Sequence, residues 1–351
     1  MISKQALTKE RLLSVLRRFT ETQLVIWGDL VVDEFLLGQV NRISREAPVL
    51  ILDYLRSERV PGGAANTAAN VAALGARALP VGSVGRDQSG KDLLFMLNER
   101  GVDTSSVAMM DELVTPTKTR VSAAGLHTTR QQIVRIDRGR PHSFSRTHRA
   151  RLAQLVEKKA TAAHGLVVAD YGYRTVDPAA VRVMAPRLRA ASKPVAVDSR
   201  WRLLEFRGAT AVTPNEPEME AALGVSLRRG QQPDLERAAT DLLKRLGCHA
   251  VLVTRGSRGM AVFQHDTESG DYIPVYGSDQ VADVTGAGDT VMATFSIALA
   301  AGANPFEAAR LANYAGGLVV MKQGTATVTL AELRAALSRD NALPDTPPTT
   351  S

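Results

Sequence analysis

The pattern of apolar and polar positions predicts alternating strands and helices along most of the chain. Apolar runs of strand length occur at 24–27, 78–82, 166–169, 194–197, 211–212 and 250–254. Segments with helical spacing occur at 64–74, 91–98, 178–190, 216–223 and 235–246. Strands separated by helix-length segments form parallel βαβ units. We therefore predict an α/β fold with a central, mostly parallel sheet and helices on both faces.

One region departs from this alternation. Between residues 33 and 60, short apolar runs are broken by Gly38, Asn41 and Pro48, and none has helical spacing. This pattern predicts a small antiparallel sheet that projects from the main sheet, with further strands at 117–121 and 131–136. We call this sheet the lid. Because its edges would otherwise be unprotected, our hypothesis is that it pairs with a second copy in a homodimer.

The two ends of the chain and the segment before the last helices complete the prediction. We expect an amphipathic helix at 6–19, a β-meander at 259–264 and 272–275, and helices from 286, at 305–321 and at 330–338. Residues 339–351 are rich in Pro and Thr, which favours a disordered tail. The prediction is thus a single domain over 1–338 that includes the lid.

Composition narrows the classes of function. The chain is 44% hydrophobic and 23% charged, as in ordinary soluble globular proteins. Its net charge of +7 is scattered, without an aromatic and basic platform, so we expect no nucleic-acid partner. The first 20 residues lack a continuous apolar core, and no later apolar stretch reaches membrane-spanning length. One cysteine, Cys248, excludes an intrachain disulfide and fits a reducing, cytoplasmic compartment.

The stretch Asp283-Val-Thr-Gly-Ala-Gly-Asp-Thr290 runs into an apolar segment and predicts an anion site. Small residues that open a helix leave backbone N–H groups aimed at one point, with the positive end of the helix dipole behind them. Gly286, Ala287 and Gly288 would let a phosphate approach closely, and Asp289 would act as a base beside it. Taken alone, such a motif more often marks an ordinary helix start with an acidic first turn.

Three further motifs accompany this one. Gly28-Asp29 with Asp33, then 61–66 (PGGAAN), then 213–218 (TPNEPE), then 283–289 (DVTGAGD) follow in this order. From about residue 20 to 335, the chain resembles the ribokinase-like (PfkB) carbohydrate kinases. Within them it is most similar to kinases of D-glycero-D-manno-heptose 7-phosphate, through 41–48 (NRISREAP), 59–66 (RVPGGAAN) and 131–137 (QQIVRID).

The resemblance implies a reaction and a catalytic centre. The enzyme would transfer the γ-phosphoryl group of ATP to a sugar hydroxyl, here the anomeric hydroxyl of the heptose 7-phosphate. Asp289 would be the base, and the backbone amides from Gly286 to Asp289 would stabilise the phosphoryl charge.

The resemblance also implies an acceptor site. It places Asp29, Asp33, Gly62, Gly63 and Asn66 around the sugar, with Arg42, Arg45 and Arg120 as candidates for its phosphate. Each has a simpler interpretation: a turn-capping Asp29, a helix-capping Asn66 and ordinary surface arginines.

Nucleotide and ion sites follow from the same resemblance. Asn215 and Glu218 would order Mg²⁺ and its waters, unless they only cap a helix. Thr254, Gly256 and Gly259 would lie in a loop that contacts the nucleotide, and Asp283 with Thr285 would hold a K⁺ ion. Finally, Asn313, Gly316 and Gly317 would flank adenine, or the two glycines would serve helix packing.

Two segments differ from the heptose kinases, which carry a lysine after an Asp-Tyr pair and an Asp-Pro-Lys run. Here these segments read Asp170-Tyr-Gly-Tyr-Arg174 and Asp198-Ser-Arg200. Lys and Arg are not equivalent at a phosphate, so another sugar, sugar phosphate or nucleoside stays open as acceptor. A non-catalytic sensor is a further alternative, although the presence of Asp289 argues against it. With no nucleotidyltransferase segment after residue 340, we expect this chain not to perform an adenylylation step.

Overall fold

The computed structural model describes residues 7–124, 131–228, 231–267, 269–277, 282–341 and 343–345. The strands in these ranges are β1 Gln23–Gly28, β2 Leu30–Ile43, β3 Leu50–Gly63, β4 Arg77–Gly85, β5 Val107–Met110, β6 Thr117–Ala124, β7 Gln131–Arg138, β8 Gly165–Asp170, β9 Val195–Ser199, β10 Ala211–Val212, β11 Ala250–Thr254, β12 Met260–Gln264 and β13 Asp271–Ile273. The helices are α1 Lys9–Arg17, α2 Ala64–Ala73, α3 Gln88–Glu99, α4 Arg146–Ala162, α5 Pro178–Ala190, α6 Glu216–Leu223, α7 Gln232–Leu246, α8 Ala287–Ala300, α9 Pro305–Val320 and α10 Leu330–Arg339.

A nine-stranded sheet in the order β13-β12-β11-β10-β9-β8-β1-β4-β5 forms the centre of the molecule. Its strands are parallel except for β12 and β13, which pair antiparallel at one edge. In β1, Leu24 and Ile26 belong to one apolar cluster and Val25 and Trp27 to another. This alternation buries both faces of the sheet, as the apolar run predicted. The predicted α/β fold is confirmed.

The lid is a four-stranded sheet in the order β3-β2-β6-β7. Strand β2 follows β1 almost immediately and pairs antiparallel with β3 from Leu30 opposite Gly63 to Ile43 opposite Leu50. We expected several short strands here, but two strands of 14 residues each run through the region. Gly38 causes only a register shift in the ladder, because a bulge absorbs the irregularity without ending the strand.

Two elements were not predicted. Helix α4 buries only Leu152, Val156 and Ala160 among many charged residues, so its apolar stripe is too thin to stand out in the sequence. Strand β5 has four residues, all only partly buried, at the edge of the main sheet.

Near the C-terminus, α10 confirms the predicted last helix. In the tail beyond it, the carbonyl of Pro344 accepts a hydrogen bond from the Lys9 amide at 2.9 Å, and Asp345 pairs with the Lys9 ammonium at 3.0 Å. Of the predicted disordered tail, 339–351, residue 339 belongs to α10, and residues 342 and 346–351 lie outside the described residues. No helix in the described ranges is both long and apolar enough to cross a membrane.

Candidate active site

A polar cleft of about 440 Å³ lies between the lid and the carboxyl ends of the central strands. The lid contributes Val31, Asp33, Gly63, Lys118, Arg120 and Arg135 to its lining. The main sheet and the segments that follow its strands contribute Tyr171, Asp198, Arg200, Thr213, Asn215, Glu218 and Thr254, and the segment around the start of α8 contributes 284–286, 288–289 and 291. Parallel strands end at one edge, which is why residues so distant in sequence meet here.

Helix α8 opens at Gly286, which has a left-handed φ of 78°. A Cβ atom there would lie 2.7 Å from the Asn66 Nδ2 atom, so glycine is required for both backbone and space. A Cβ atom on Gly288 would meet open space, which leaves the backbone there accessible from the cleft. The amide of Ala287, in contrast, donates to the carbonyl of Val284 at 3.2 Å and is engaged within the loop.

Asp289 is buried, with 7% of its surface exposed, and both carboxylate oxygens are held. Oδ2 accepts a hydrogen bond from Asn66 Nδ2 at 2.7 Å, and Oδ1 accepts one from the Tyr171 hydroxyl. Burial raises the pKa of Asp289 to about 6, while these two hydrogen bonds oppose the shift. The group is therefore mostly ionised near neutral pH and able to accept a proton.

Asn66 is oriented by a chain of hydrogen bonds between α2 and α8. Asn70 Nδ2 donates to Asn66 Oδ1 at 3.1 Å, and Thr290 Oγ1 donates to Asn70 Oδ1 at 3.0 Å. The Asn66 amide nitrogen must then face Asp289. Asn66 is not the helix cap, since that position belongs to Gly63.

On the acceptor side, Asp33 and Asp29 differ in what they contact. Asp33 lines the cleft, and its Oδ1 accepts from Arg120 at 2.6 Å. A Cβ atom on Gly62 would lie 2.5 Å from Asp33 Oδ2, so Gly62 makes room for this carboxylate. The Asp29 carboxylate instead accepts the amides of Tyr171, Tyr173 and Thr175 at 2.8–3.0 Å.

The structure thus separates the predicted acceptor residues. Asp29, which burial keeps at a raised pKa, anchors the loop after β8 and does not line the cleft. Arg42 and Arg45 are exposed near the far end of β2 and also do not line it.

Asn215 and Glu218 form a capping box at the start of α6. Asn215 Oδ1 accepts the Glu218 amide at 2.8 Å, and Glu218 Oε2 accepts the Asn215 amide at 3.0 Å. Glu218 Oε1 lies 3.9 Å from Arg200 Nε. Burial raises the pKa of Glu218, and burial together with the charge of Glu218 raises that of Asp198 well above its usual value. Capping and cleft lining therefore coexist in the same two residues.

A second cleft of about 800 Å³ adjoins the first through Asn215 and Thr254 and is lined further by 216–217, 220, 227 and 255–258. Gly256 leaves open space there. Gly259 does not line this cleft. It packs against β13 instead, where a Cβ atom on it would lie 2.1 Å from the Ile273 carbonyl oxygen. Arg255 and Arg258 both pair with Glu216.

The residues predicted to flank adenine serve packing in this structure. Asn313 Nδ2 donates to the Pro274 carbonyl at 2.9 Å. Gly317 admits the Tyr276 carbonyl, which a Cβ atom would approach to 2.0 Å, and Gly316 packs against Val291. None of the three lines either of the two clefts.

The residues proposed for a monovalent cation lie beside a third cleft, of about 880 Å³, under the lid. Asp283 Oδ1 accepts the Thr285 amide at 2.8 Å. Thr325 also lines this cleft, and its buried Oγ1 has no hydrogen-bond partner within the described part of the chain.

Sequence reasoning did not assign Lys118, Tyr171 or Asp198 to the site. Tyr171 and Asp198 stand at the ends of β8 and β9, where a polar residue after a buried strand is an available signal. Lys118 lies within the lid, and only the register that pairs it with Asp33 and Asp137 brings it to the cleft.

The model of the pfkB family of carbohydrate kinases matches residues 24–332, and the chain belongs to this family. It is accordingly a phosphotransferase that acts on an alcohol group of a carbohydrate.

The bifunctional protein HldE of Mesorhizobium japonicum is 36% identical over 342 residues, which are 97% of this chain and 67% of the relative. HldE of Trichlorobacter lovleyi is 38% identical over 329 residues, 93% of this chain and 65% of the relative. The chain thus spans about two thirds of the length of these relatives.

Solved structures share the fold at low identity. Arabidopsis thaliana ribokinase complexed with ribose and ATP has a TM-score of 0.70 at 22% identity, covering 91% of this chain and 99% of that one. Phosphofructokinase-2 from Escherichia coli in complex with potassium has a TM-score of 0.70 at 19% identity, with the same coverage.

Proposed function

We propose that this chain transfers the γ-phosphoryl group of ATP to the anomeric hydroxyl of D-glycero-D-manno-heptose 7-phosphate. The observation that carries the proposal is the placement of Asp289, a buried carboxylate at the open start of α8 that faces a cleft lined by lid cations. The similarity to HldE proteins over more than 90% of the chain supports the same reaction.

In this reaction Asp289 accepts the proton of the acceptor hydroxyl. The hydroxyl oxygen forms the new bond to the γ-phosphorus, the bond from that phosphorus to the β–γ bridging oxygen breaks, and ADP leaves. The exposed backbone at Gly288 and the positive end of α8 stabilise charge on the transferred group. The second cleft, beside Thr254 and Gly256, is the proposed nucleotide side.

A phosphorylated acceptor is supported by cations. Lys118, Arg120, Arg135 and Arg200 all line the cleft, and burial lowers the pKa of Lys118. A partly buried cation that faces a cleft, as Lys118 does, favours an anionic ligand.

Two ions complete the proposal. Asp198 and Glu218, whose pKa values are raised by desolvation, and Asn215 fit Mg²⁺, because a divalent cation relieves the repulsion between two partly buried carboxylates. Bound there, Mg²⁺ would neutralise phosphate charge. Asp283, Thr285 and the unpartnered Thr325 Oγ1 fit a K⁺ ion.

The second candidate acceptor is another sugar, sugar phosphate or nucleoside. The observation in its favour is Arg200, which lines the cleft where the heptose kinases carry lysine.

We also propose a homodimer formed through the lid. Its exposed apolar side chains are Ile43, Val49, Leu50, Tyr54, Leu55, Ile133, Val134 and Ile136. Exposed apolar residues on edge strands favour pairing with another subunit.

The test is ADP release, measured by a coupled assay, with heptose 7-phosphate, ribose, fructose, fructose phosphates and nucleosides. Wild type should prefer the heptose phosphate. Asp289→Asn should reduce kcat by about a hundredfold or more, because the proton acceptor is lost, and should still bind ATP. Asp241→Asn, which changes a partly exposed carboxylate on α7 that lines neither cleft, is the matched control and should keep full activity.

The outcomes separate the two candidates. Preference for an unphosphorylated sugar would keep Asp289 as the base and discard the heptose phosphate. Turnover of Asp289→Asn within a few-fold of wild type would contradict the mechanism.

A further inference from the structure

We propose that Tyr171 is a positioning residue for Asp289: its hydroxyl, held by a loop that Asp29 anchors, orients the carboxylate and stabilises its ionised form. The inference rests on the proposed role of Asp289 as base. It also assigns the buried Asp29 a structural role in the same site, because Asp29 holds the loop that carries Tyr171.

The loop after β8 is held at its start and along its length. At its start, the buried Asp170 accepts from Arg202 at 2.6 Å and from the Ser199 hydroxyl at 2.7 Å. Along its length, the Asp29 carboxylate collects three backbone amides, those of residues 171, 173 and 175. Three amides on one buried carboxylate leave this backbone little freedom.

The Tyr171 ring is held as well. A Cβ atom on Gly63 would lie 3.3 Å from its Cδ2 atom, so glycine there leaves the ring its space. On another side, the Lys118 ammonium lies 5.5 Å from the ring centre. The hydroxyl then reaches Asp289 Oδ1 and lies 3.5 Å from Asp198 Oδ2.

The Tyr171 hydroxyl remains protonated at the pH values at which the enzyme would be assayed. Burial, followed by the charges of Asp289 and Asp198, raises the pKa of Tyr171 well above its usual value. It therefore stays protonated and donates to the carboxylate. A carboxylate oxygen accepts more than one hydrogen bond, so Tyr171 leaves Asp289 Oδ1 able to receive the acceptor proton.

The charged groups around Asp289 pull in both directions. From the lid, Asp33 raises its pKa and Lys118 lowers it, whereas Asp198 faces it from β9 across the Tyr171 hydroxyl. Asn66, from α2, and Tyr171 favour the ionised form. Tyr171 is thus one of two neutral donors that counter the effect of burial.

Loss of the Tyr171 hydroxyl should make activity fall off at a higher pH. The base must be ionised, so activity is present above the pKa of Asp289 and is lost as pH falls through it. Tyr171→Phe removes a donor to the ionised form, which raises that pKa. The acid limb of the kcat/KM profile should move to higher pH by about one unit, with a loss of about fivefold at pH 6 that disappears at pH 9.

The experiment compares the kcat/KM pH profiles of wild type, Tyr171→Phe and Tyr173→Phe. Tyr173 is the matched control, because it lies in the same loop and its amide, which the substitution keeps, is its contact to Asp29. A shifted acid limb in Tyr171→Phe alone supports the inference. An unshifted limb, or a loss equal at all pH values, overturns it.

Failure of the proposed kinase function can be told apart from failure of the proposed role of Tyr171. If wild type is inactive with every acceptor tried, an infrared titration still gives the pKa of Asp289 directly. The absorption band of the Asp289 carboxyl is the one that is missing in Asp289→Asn. A higher pKa in Tyr171→Phe supports the inference, and an equal or lower one overturns it.

Discussion

Lys118 differs from the other cations of the cleft in its partners. Within the described residues, Arg120 pairs with Asp33 at 2.6 Å, and Arg135 pairs with Asp137 at 2.8 Å. Lys118 has no carboxylate within ion-pair distance in the same ranges, and burial lowers its pKa. A desolvated cation without a carboxylate partner is costly, so we expect Lys118 to meet an anionic ligand in the cleft.

We predict that Lys118→Met raises KM for the proposed sugar phosphate acceptor by about tenfold or more, through loss of a charge-assisted contact. KM should be measured at about pH 8, where Asp289 is ionised in both proteins, since Lys118 also lowers the pKa of Asp289. Lys244→Met, at an exposed position on α7, is the control. An unchanged KM would remove Lys118 from phosphate binding.

At the scale of elements, α9 holds the segment that leaves β13. Asn313 binds the Pro274 carbonyl, the Tyr314 ring meets that of Tyr276 edge-on at 4.6 Å, and Gly317 admits the Tyr276 backbone. The close approach of the Tyr276 backbone therefore explains why α9 has a glycine at position 317.

The prediction at this scale compares neighbouring glycines. Gly317→Ala should destabilise the protein by about 2 kcal/mol, because a Cβ atom cannot lie 2.0 Å from a backbone oxygen and the segment must move. Gly316→Ala meets the Val291 side chain at 3.1 Å, and the gain in helix propensity offsets much of that strain. Urea unfolding measures both. Equal midpoints for the two variants would contradict this packing account.

At the scale of the whole molecule, the lid is continuous along the chain with β1, which precedes β2, and with α2, which follows β3. Glu34 secures its base, accepting from Thr119 at 2.6 Å and Arg59 at 2.8 Å. Arg59 also reaches Asp92 on α3. Beyond this network the strands extend with exposed apolar side chains, which an isolated molecule would leave in water.

We predict that wild type sediments as a dimer at micromolar concentration and that Leu55→Asp weakens the dimer by about a hundredfold, because it places a charge in an apolar interface. Leu55 is 62% exposed on an edge strand of the lid. Val225→Asp changes an exposed apolar residue outside the lid and should leave the dimer intact. A monomeric wild type, or a dimer that tolerates Leu55→Asp, would contradict lid pairing.

Local patterns made much of the fold predictable. Apolar runs such as Val25 to Trp27 predict a buried strand without knowledge of the sheet order. Helices with a continuous apolar face, such as α7, are predicted by the spacing of their apolar residues. Helix α4 was missed because charged residues dominate it. Its place in the fold comes from packing against the sheet, which the sequence period does not encode strongly.

The sequence by itself determined the family, the α/β class and the Gly-rich start of α8 with Asp289, because these depend on short-range patterns and an ordered set of motifs. Only the tertiary structure decided which polar groups meet. In the fold, Asp29 binds backbone amides of the loop after β8, the Tyr171 hydroxyl donates to Asp289, and Lys118 lines the cleft. Such contacts join residues more than 100 positions apart, as Tyr171 and Asp289 are. Sheet order and lid register fix their distances, and no local pattern specifies them.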